Sequence, residues 1–395
     1  MKNRMRKNVL SLLLCLLVLA YSFIGCGSAI ESTQPEAATR KYLTSYHDAH
    51  KCLAPEQFGA AGDGVADDTD AVNTAILKAS ETWGHVCFDG MKHYRCDGTV
   101  QLASNVELDM NGCSMTVHEI IAFDNEEPAK AYDGFHDIVV RDGVFHTTNS
   151  FAIAHVKNLS LENCTFLRCS GNHFIEMCAS QNITIQNCRF LGQITESGSR
   201  EMLQFDVCEP GSFRHYSDKN SVAYDYTPLD HVVIEGCYFS SYQEGDTCYP
   251  MHCAIGGHMC NPEQNTDLTI RNCYINVSDA NGIFLNNWDQ VLIEGCTLAN
   301  INNQPIGMRY SCNEIDIRQN TFHHYGSEFA ISVIYRDYVK SNITITCNFF
   351  SPKGGIVDIR EGRNLTIAGN YCVATYRMIQ SLECEDCYIK NNFSL

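Results

Sequence analysis

Ten short segments of one pattern recur between residues 137 and 393. They read DIVVRDGVF (137–145), NLSLENCTF (158–166), NITIQNCRF (182–190), HVVIEGCYF (231–239), DLTIRNCYI (267–275), QVLIEGCTL (290–298), EIDIRQNTF (314–322), NITITCNFF (342–350), NLTIAGNYC (364–372) and DCYIKNNF (386–393). Start-to-start spacings are 21, 24, 49, 36, 23, 24, 28, 22 and 22 residues, so the base period is 22–24 with two insertions. Apolar residues alternate within each unit, as Leu159 and Leu161 do. An Asn, Gly or similar residue then breaks the run, and a second short apolar pair follows. Period-two runs joined by residues that tolerate left-handed backbone angles describe short strands with sharp bends. One such unit cannot bury its own apolar face, so successive units must stack. Leucine-rich repeats would show a leucine-asparagine signature, whereas Ile, Val, Phe and Cys fill the inward positions here. The expected fold is all-β: a right-handed parallel β-helix of about ten coils, roughly 50 Å long at the usual strand spacing.

The repeat accounts for much of the unusual cysteine content, 22 in the chain. Cys164, Cys188, Cys237, Cys273 and Cys296 occupy one equivalent position just after the bend, where a column of small buried thiols fills the core. A chain of 395 residues has enough apolar material to fold without disulfide staples. Cys384-Glu-Asp-Cys387 is a lone CxxC and a weak metal signal.

Residues 1–26 read as an export signal. Lys2, Arg4, Arg6 and Lys7 precede the apolar run from Val9 to Ala20, which is too short to favour a permanent membrane span. Phe23-Ile-Gly-Cys26 resembles a bacterial lipobox, which implies lipidation at Cys26 and a lipid anchor at the membrane surface, against ordinary cleavage and secretion. Residues 27–50 lack periodicity and serve as a linker, leaving 51–395 as a single β-helix domain with insertions near 191–230 and 240–266. Without residues 1–25 the chain holds 24 Lys and Arg against 46 Asp and Glu, a net charge near −22. Such a surface repels polyanions, so no nucleic-acid partner is expected and a neutral or weakly charged ligand is easier to accommodate.

The stretch FGAAGDGVADDTDAVNTAI (58–76) resembles the N-terminal signature of the pectate-lyase-3-like β-helix superfamily, FGAxGDGxxDDTxAxxxAI. Phe58, Gly59, Ala60, Gly62, Asp63, Gly64, Asp67, Asp68, Thr69, Ala71, Ala75 and Ile76 all match. The following residues 84–112 resemble the family's first coil. With the repeats, the resemblance covers about residues 52–395. It implies a carbohydrate-directed β-helix; lyases, glycoside hydrolases and phage tailspike depolymerases share the fold. Read residue by residue, Asp68 or Thr69 caps a helix beginning near Asp70. Ala71, Ala75, Ile76 and Ala79 give that helix an apolar face to cover the open first coil. The stretch has no Lys for a phosphate loop and lacks EF-hand spacing, so Asp63, Asp67 and Asp68 are read as structural.

The resemblance implies a substrate groove along one stacked face, walled by loops from the lengthened coils. Strand alternation places Glu176, Gln204 and Asp206 outward, between the inward Ile175, Met177, Leu203 and Phe205. Cys253 and Ile255 are expected inward, with His252 and His258 outward, and Glu201 inward. Below them Asn286, Trp288 and Arg309 are expected to extend one outward column of Glu176, Asp206, His258, Trp288 and Arg309. A one-residue slip would invert that column.

Asp206 is the first candidate for acid or nucleophile and Glu176 for its partner, one coil and roughly 5 Å away by strand spacing. Asp225 is a competitor from the insertion. Gln204, His252, His258, Asn286, Trp288 and Arg309 are candidate substrate contacts, Trp288 by stacking on a sugar ring. These residues suggest carboxylate hydrolysis of a polysaccharide or glycan, with no cofactor or resident metal. The alternatives are a lyase or epimerase on a uronic-acid polymer, with Ca2+ and Arg309 or His258 as base, and a non-catalytic surface adhesin. The polygalacturonase motif order is not matched: Asn265-Thr-Asp267 follows Gly257-His258, and Arg309 is followed by Tyr-Ser. The oligomeric state is left open.

Overall fold

The computed structural model describes residues 52–394 except 83, 125–126, 195–199, 217–222, 259–262, 334–339, 352–354 and 374–377. Cys26 and the whole export signal lie outside the described residues.

The chain winds through about 12 turns of a right-handed parallel β-helix with one α-helix near its start. Each turn contributes a strand to three parallel sheets. The first sheet runs from His85–Cys87 through Lys157–Glu162, Gln181–Gln186 and Asp230–Glu235 to Glu385–Lys390. The second runs through Thr165–Cys169, Arg189–Gln193 and Tyr238–Ser240 to Phe393–Ser394. The third holds Phe151–Ala154, Ile175–Cys178, Glu201–Asp206 and Cys253–Gly256 and ends at Ile379–Leu382. The repeats supply the first two sheets. Register is in step from coil to coil: Leu159, Ile183, Val232 and Leu268 are successive partners. Like residues therefore stack, as Phe145, Phe166, Phe190 and Phe239 do at ring separations of 5.5, 4.8 and 5.0 Å.

The residue that breaks each repeat takes the left-handed conformation: Asn163, Asn187, Gly236, Asn272, Gly295, Gln319, Cys347 and Gly369 all have positive φ. A second left-handed position opens each first-sheet strand, at Asn158, Asn182, His231, Asp267, Gln290, Glu314, Asn342 and Asn364. Between them these two positions turn each coil through its corners without a helix or long loop. The expected thiol column is present, with Cys164, Cys188, Cys237, Cys273 and Cys296 free and buried. One disulfide, Cys52–Cys87, ties the segment before the helix to the first coil.

The glycine-rich stretch is a cap. The α-helix spans Thr69–Ser80 and buries Ala71, Val72, Ala75, Ile76 and Ala79. Asp68 does not cap the helix with its side chain. Instead its buried carboxylate accepts from the Ala61 and Gly62 amides at 2.6 and 3.1 Å, folding the loop onto the helix start. Asp67 Oδ1 accepts from the Thr69 and Asp97 amides, and Asp63 Oδ1 from those of Val65 and Ala66. All three carboxylates thus hold backbone.

The extra residues are placed more narrowly than the spacing suggested. Strands Glu201–Asp206 and Cys253–Gly256 are ordinary third-sheet strands inside the two expected insertions. Among the described residues, the additions to the regular coil include 207–216 and 223–229, which follow a third-sheet strand, and the hairpin Tyr242–Glu244/Thr247–Tyr249, which precedes one. They arise at opposite ends of the third-sheet strands.

Candidate functional site

The outer face of the third sheet is not a bare groove. Phe213, Tyr216, Ala223 and Tyr224, from the chain that follows Asp206, pack over it with Phe123, Ala152, Ala154 and Cys178 in a second apolar cluster. Register stacks Ala152, Glu176 and Gln204 in one outward column and Ala154, Cys178 and Asp206 in the next. Ile175, Met177, Leu203 and Phe205 enter the core as alternation requires. Alternation then breaks at the corner: Phe174 joins Ile175 in the core, and Met202 joins Leu203. Two consecutive inward residues reverse the parity before them, which brings His173 and Glu201 to the side of Glu176 and Asp206. Glu201 is therefore not inward. The same reversal puts Ala254 and Ile255 in the core, and Cys253 stacks on Glu201.

The result is a buried ionic cluster. Glu176 and Asp206 are each 2% exposed. Glu176 Oε1 accepts from the Arg214 amide at 2.7 Å, and the Arg214 Nε lies 2.9 Å from Oε2 as an ion contact. Arg214 and His215 also face Glu119, at 3.6 and 3.3 Å. Burial pushes the Glu176 carboxyl up to about 7, against the pull of Arg214. Asp206 accepts from the Gln204 side chain at 2.6 Å and the His258 amide at 2.7 Å. The His258 ring spans two carboxylates, with Nδ1 3.4 Å from Asp206 and Nε2 2.9 Å from Glu201. Its contacts with Asp206 and then Glu201 raise its pKa to about 10, although the side chain is 43% exposed. His173 and His215, in contrast, are held down at about 4 by burial.

Gly256 and Gly257 make this approach feasible. A Cβ on Gly257 would sit 2.3 Å from the Phe205 carbonyl oxygen and 2.8 Å from Asp206 Oδ1, and one on Gly256 would sit 2.7 Å from the Glu201 side chain. Without side chains, the chain lies flat on both acids and delivers the His258 amide and ring to them.

Several expected contacts fall elsewhere. Trp288 is 2% exposed in the main core, so it cannot stack on a ligand. Asn287 is left-handed and register is irregular between Asn286 and Trp288, which turns the tryptophan inward. Asn286 is buried, and its side-chain amide holds the Gly257 carbonyl. Arg309 pairs with Asn286 in register, and its guanidinium covers the Phe284 ring at 4.0 Å. His252 lies at the other end of strand Cys253–Gly256, beside Asp279 at 3.8 Å. Asp225 is apart from the acids, accepting from the Ala131 and Thr227 amides at 2.8 and 3.1 Å. The single column expected from the sequence is thus two adjacent ones: Glu176 is diagonal to Asp206, their Cα atoms about 8 Å apart by strand geometry rather than 5 Å. Glu119, His173, Arg214 and His215 were not anticipated. The one available signal was a basic pair, Arg214-His215, inside an insertion of a strongly acidic chain.

Comparison with known proteins agrees with this architecture. The family model described as rhamnogalacturonase A/epimerase, pectate lyase-like, matches residues 56–224, and that described as right handed beta helix region matches residues 256–394. The chain is a pectate-lyase-like parallel β-helix protein. It is 23% identical over 289 residues to plasmin and fibronectin-binding protein A of Streptococcus pneumoniae, covering 62% of this chain and 38% of that protein's length. The crystal structure of PfbA, a surface adhesin of S. pneumoniae, superposes with a TM-score of 0.71 at 18% identity, covering 87% of this chain and 92% of that one. The tailspike protein of E. coli bacteriophage HK620, in complex with a pentasaccharide, gives a TM-score of 0.60 at 13% identity, covering 86% and 65%. At these identities the structural likeness is one of fold.

Within this pectate-lyase-like protein, the cluster has a restricted chemistry. A histidine held at about 10 is protonated at neutral pH. A carboxyl held near 7 is partly protonated at neutral pH and can give up a proton.

Proposed function

We propose that this is an exported cell-surface protein of a bacterium that hydrolyses a glycan at the Glu176–Asp206–His258 cluster. The observation that carries this reading is the pairing of Glu176, raised to about 7 by burial, with Asp206, an acceptor for Gln204 and His258. Glu176 protonates the leaving glycosidic oxygen and Asp206 activates water. The separation of the two carboxyl groups, not that of their Cα atoms, decides between retaining and inverting hydrolysis. His258, cationic and the most exposed of the three, contacts the sugar. Arg214 releases Glu176 when its side chain turns to a ligand, the backbone above staying in place. Lipidation at Cys26 would hold the protein at the membrane surface.

A second reading is non-catalytic binding of a glycan or host protein. It is favoured by the near-complete burial of both acids beneath neutralising partners and by the likeness to a plasmin and fibronectin-binding protein. Incubating the purified chain with a polysaccharide panel separates the two. Hydrolysis requires new reducing ends, with at least a hundredfold loss in Glu176→Gln and Asp206→Asn. Glycan or protein binding without product, unchanged in both variants, establishes the second reading. Unsaturated products absorbing in the ultraviolet would instead show lyase chemistry.

A further inference from the structure

Away from the acids, His155, Cys208 and Asp225 converge from three parts of the chain, with one ligand atom from each lying within 4.8 Å of the others. We propose that they bind one divalent transition-metal ion of the Zn2+ class, which pins both ends of the 208–225 segment to the third sheet. His155 Nε2 and Cys208 Sγ are 3.8 Å apart. Tetrahedral zinc with its usual bond lengths places such atoms about 3.5 Å apart, so little movement is needed to accept the ion. The donor set of imidazole, thiolate and carboxylate suits zinc and disfavours Ca2+ or Mg2+, which take oxygen ligands.

The surroundings orient the ligands as metal sites require. His155 Nδ1 faces the Ala131 carbonyl oxygen at 2.7 Å, which as an N–H donor leaves the Nε2 lone pair directed at Cys208. The amide of the same Ala131 donates to Asp225 Oδ2 at 2.8 Å, so one residue braces two ligands from its two peptide groups. Thr227 fixes the other carboxylate oxygen at 3.1 Å. His155 and Cys208 are buried, beside the apolar cluster of Phe123, Phe213, Tyr216 and Tyr224. A cavity of about 240 Å³ lined by His155, Tyr216, Phe123, Asp124 and Glu127 adjoins the imidazole. On binding, the Cys208 thiol loses its proton to solvent, and water completes the coordination.

The consequence is mechanical. Cys208 precedes and Asp225 follows Arg214 and His215 in the chain, so an ion there ties the backbone on both sides of these two residues to the third sheet. The proposal stands whether or not the acid cluster hydrolyses anything.

The test uses the full mature chain, with Zn2+ content by mass spectrometry and Co2+ as an optical probe. One Zn2+ per chain is expected, with a thiolate-to-cobalt charge-transfer band. Affinity should fall at least tenfold in Cys208→Ser and His155→Asn. Asp225→Asn lies at the more exposed ligand and guards against misfolding: chelator should lower the melting temperature of the parent chain and leave that of Asp225→Asn unchanged. The double variant Cys384→Ser/Cys387→Ser should retain the band. Absence of bound Zn2+, a band that persists without Cys208 or vanishes without Cys384 and Cys387, or a Cys178–Cys208 disulfide in the purified chain would each overturn the proposal.

Discussion

On the bend between the first and second sheets, Asn320, Asn348, Asn370 and Asn392 stack in the position that Cys164 to Cys296 hold in earlier coils. Over the third sheet, Glu119, Glu176, Glu201 and Asp206 meet Arg214, His215 and His258. Both groups are largely buried and polar, yet they are built differently. The first three asparagines each donate to the Oδ1 of the next, at 3.1, 3.0 and 2.9 Å, and all four to an isoleucine carbonyl of the preceding coil. Each Oδ1 also takes the backbone N–H of the coil before it. Neutral groups satisfy neutral groups at every step, so the ladder is a fold device. The ionic cluster balances charges whose pKa values are pushed apart, and nothing in coil stacking requires it. Charge buried beyond what coil stacking needs is what singles this cluster out as the candidate site.

Breaking the ladder should give the largest stability effect. Asn348→Leu keeps the branched outline of the side chain at a larger volume, and it deprives the Asn320 N–H of its acceptor and the Ile317 carbonyl of a donor. Two buried backbone groups at roughly 1–3 kcal/mol each predict a loss of about 3–5 kcal/mol, independent of pH between 5 and 9, in urea unfolding.

The cluster should respond to pH in ways the ladder does not. Glu176 is raised from an ordinary 4.5 to about 7, so its contribution is fully present below 4.5 and is lost as pH rises through 7. Glu176→Gln should therefore be close to neutral at pH 4.5 and stabilising by about 1–2 kcal/mol at pH 8. His258 is raised from 6.5 to about 10, so its stabilisation is complete below 6.5 and lost as pH rises through 10. His258→Gln should destabilise most at pH 6 and converge with the parent chain by pH 10. Urea midpoints of the three proteins across pH decide both, and a flat difference for either variant would contradict the assigned environment.

The two regions also differ in how far they could be read beforehand. The thiol column was legible from repetition, since the position after each bend residue must stack on itself; the asparagines that continue it occupy the same position of the repeat but were not singled out. Alternation also located Glu176, Gln204 and Asp206 on the outer face. It failed where the backbone leaves strand geometry. The doubled inward pairs Phe174–Ile175 and Met202–Leu203 brought out His173 and Glu201, and left-handed Asn287 turned Trp288 in. Arg214, His215 and the His155–Cys208–Asp225 grouping involve an insertion or a corner, with no period to carry the signal.

The smallest effect tests whether thiol and amide columns are interchangeable. Cys296 precedes Asn320 in the column, and its amide already donates to Asn320 Oδ1 at 2.8 Å. Its sulfur takes the Cys273 amide at 3.4 Å and approaches the Ile270 carbonyl at 3.6 Å, the two contacts an asparagine makes one coil later. In Cys296→Asn, Oδ1 would accept from Cys273 and Nδ2 would donate to both Ile270 and Asn320, extending the ladder by one rung. The two side chains are similar in volume, so stability should change by less than about 1 kcal/mol. Cys237→Asn has thiols on either side, and its amide lacks a side-chain carbonyl to receive it. It should cost about 1–3 kcal/mol more, since a buried donor is then short of a partner. Equal losses at the two positions would mean that packing volume, not amide pairing, governs the column.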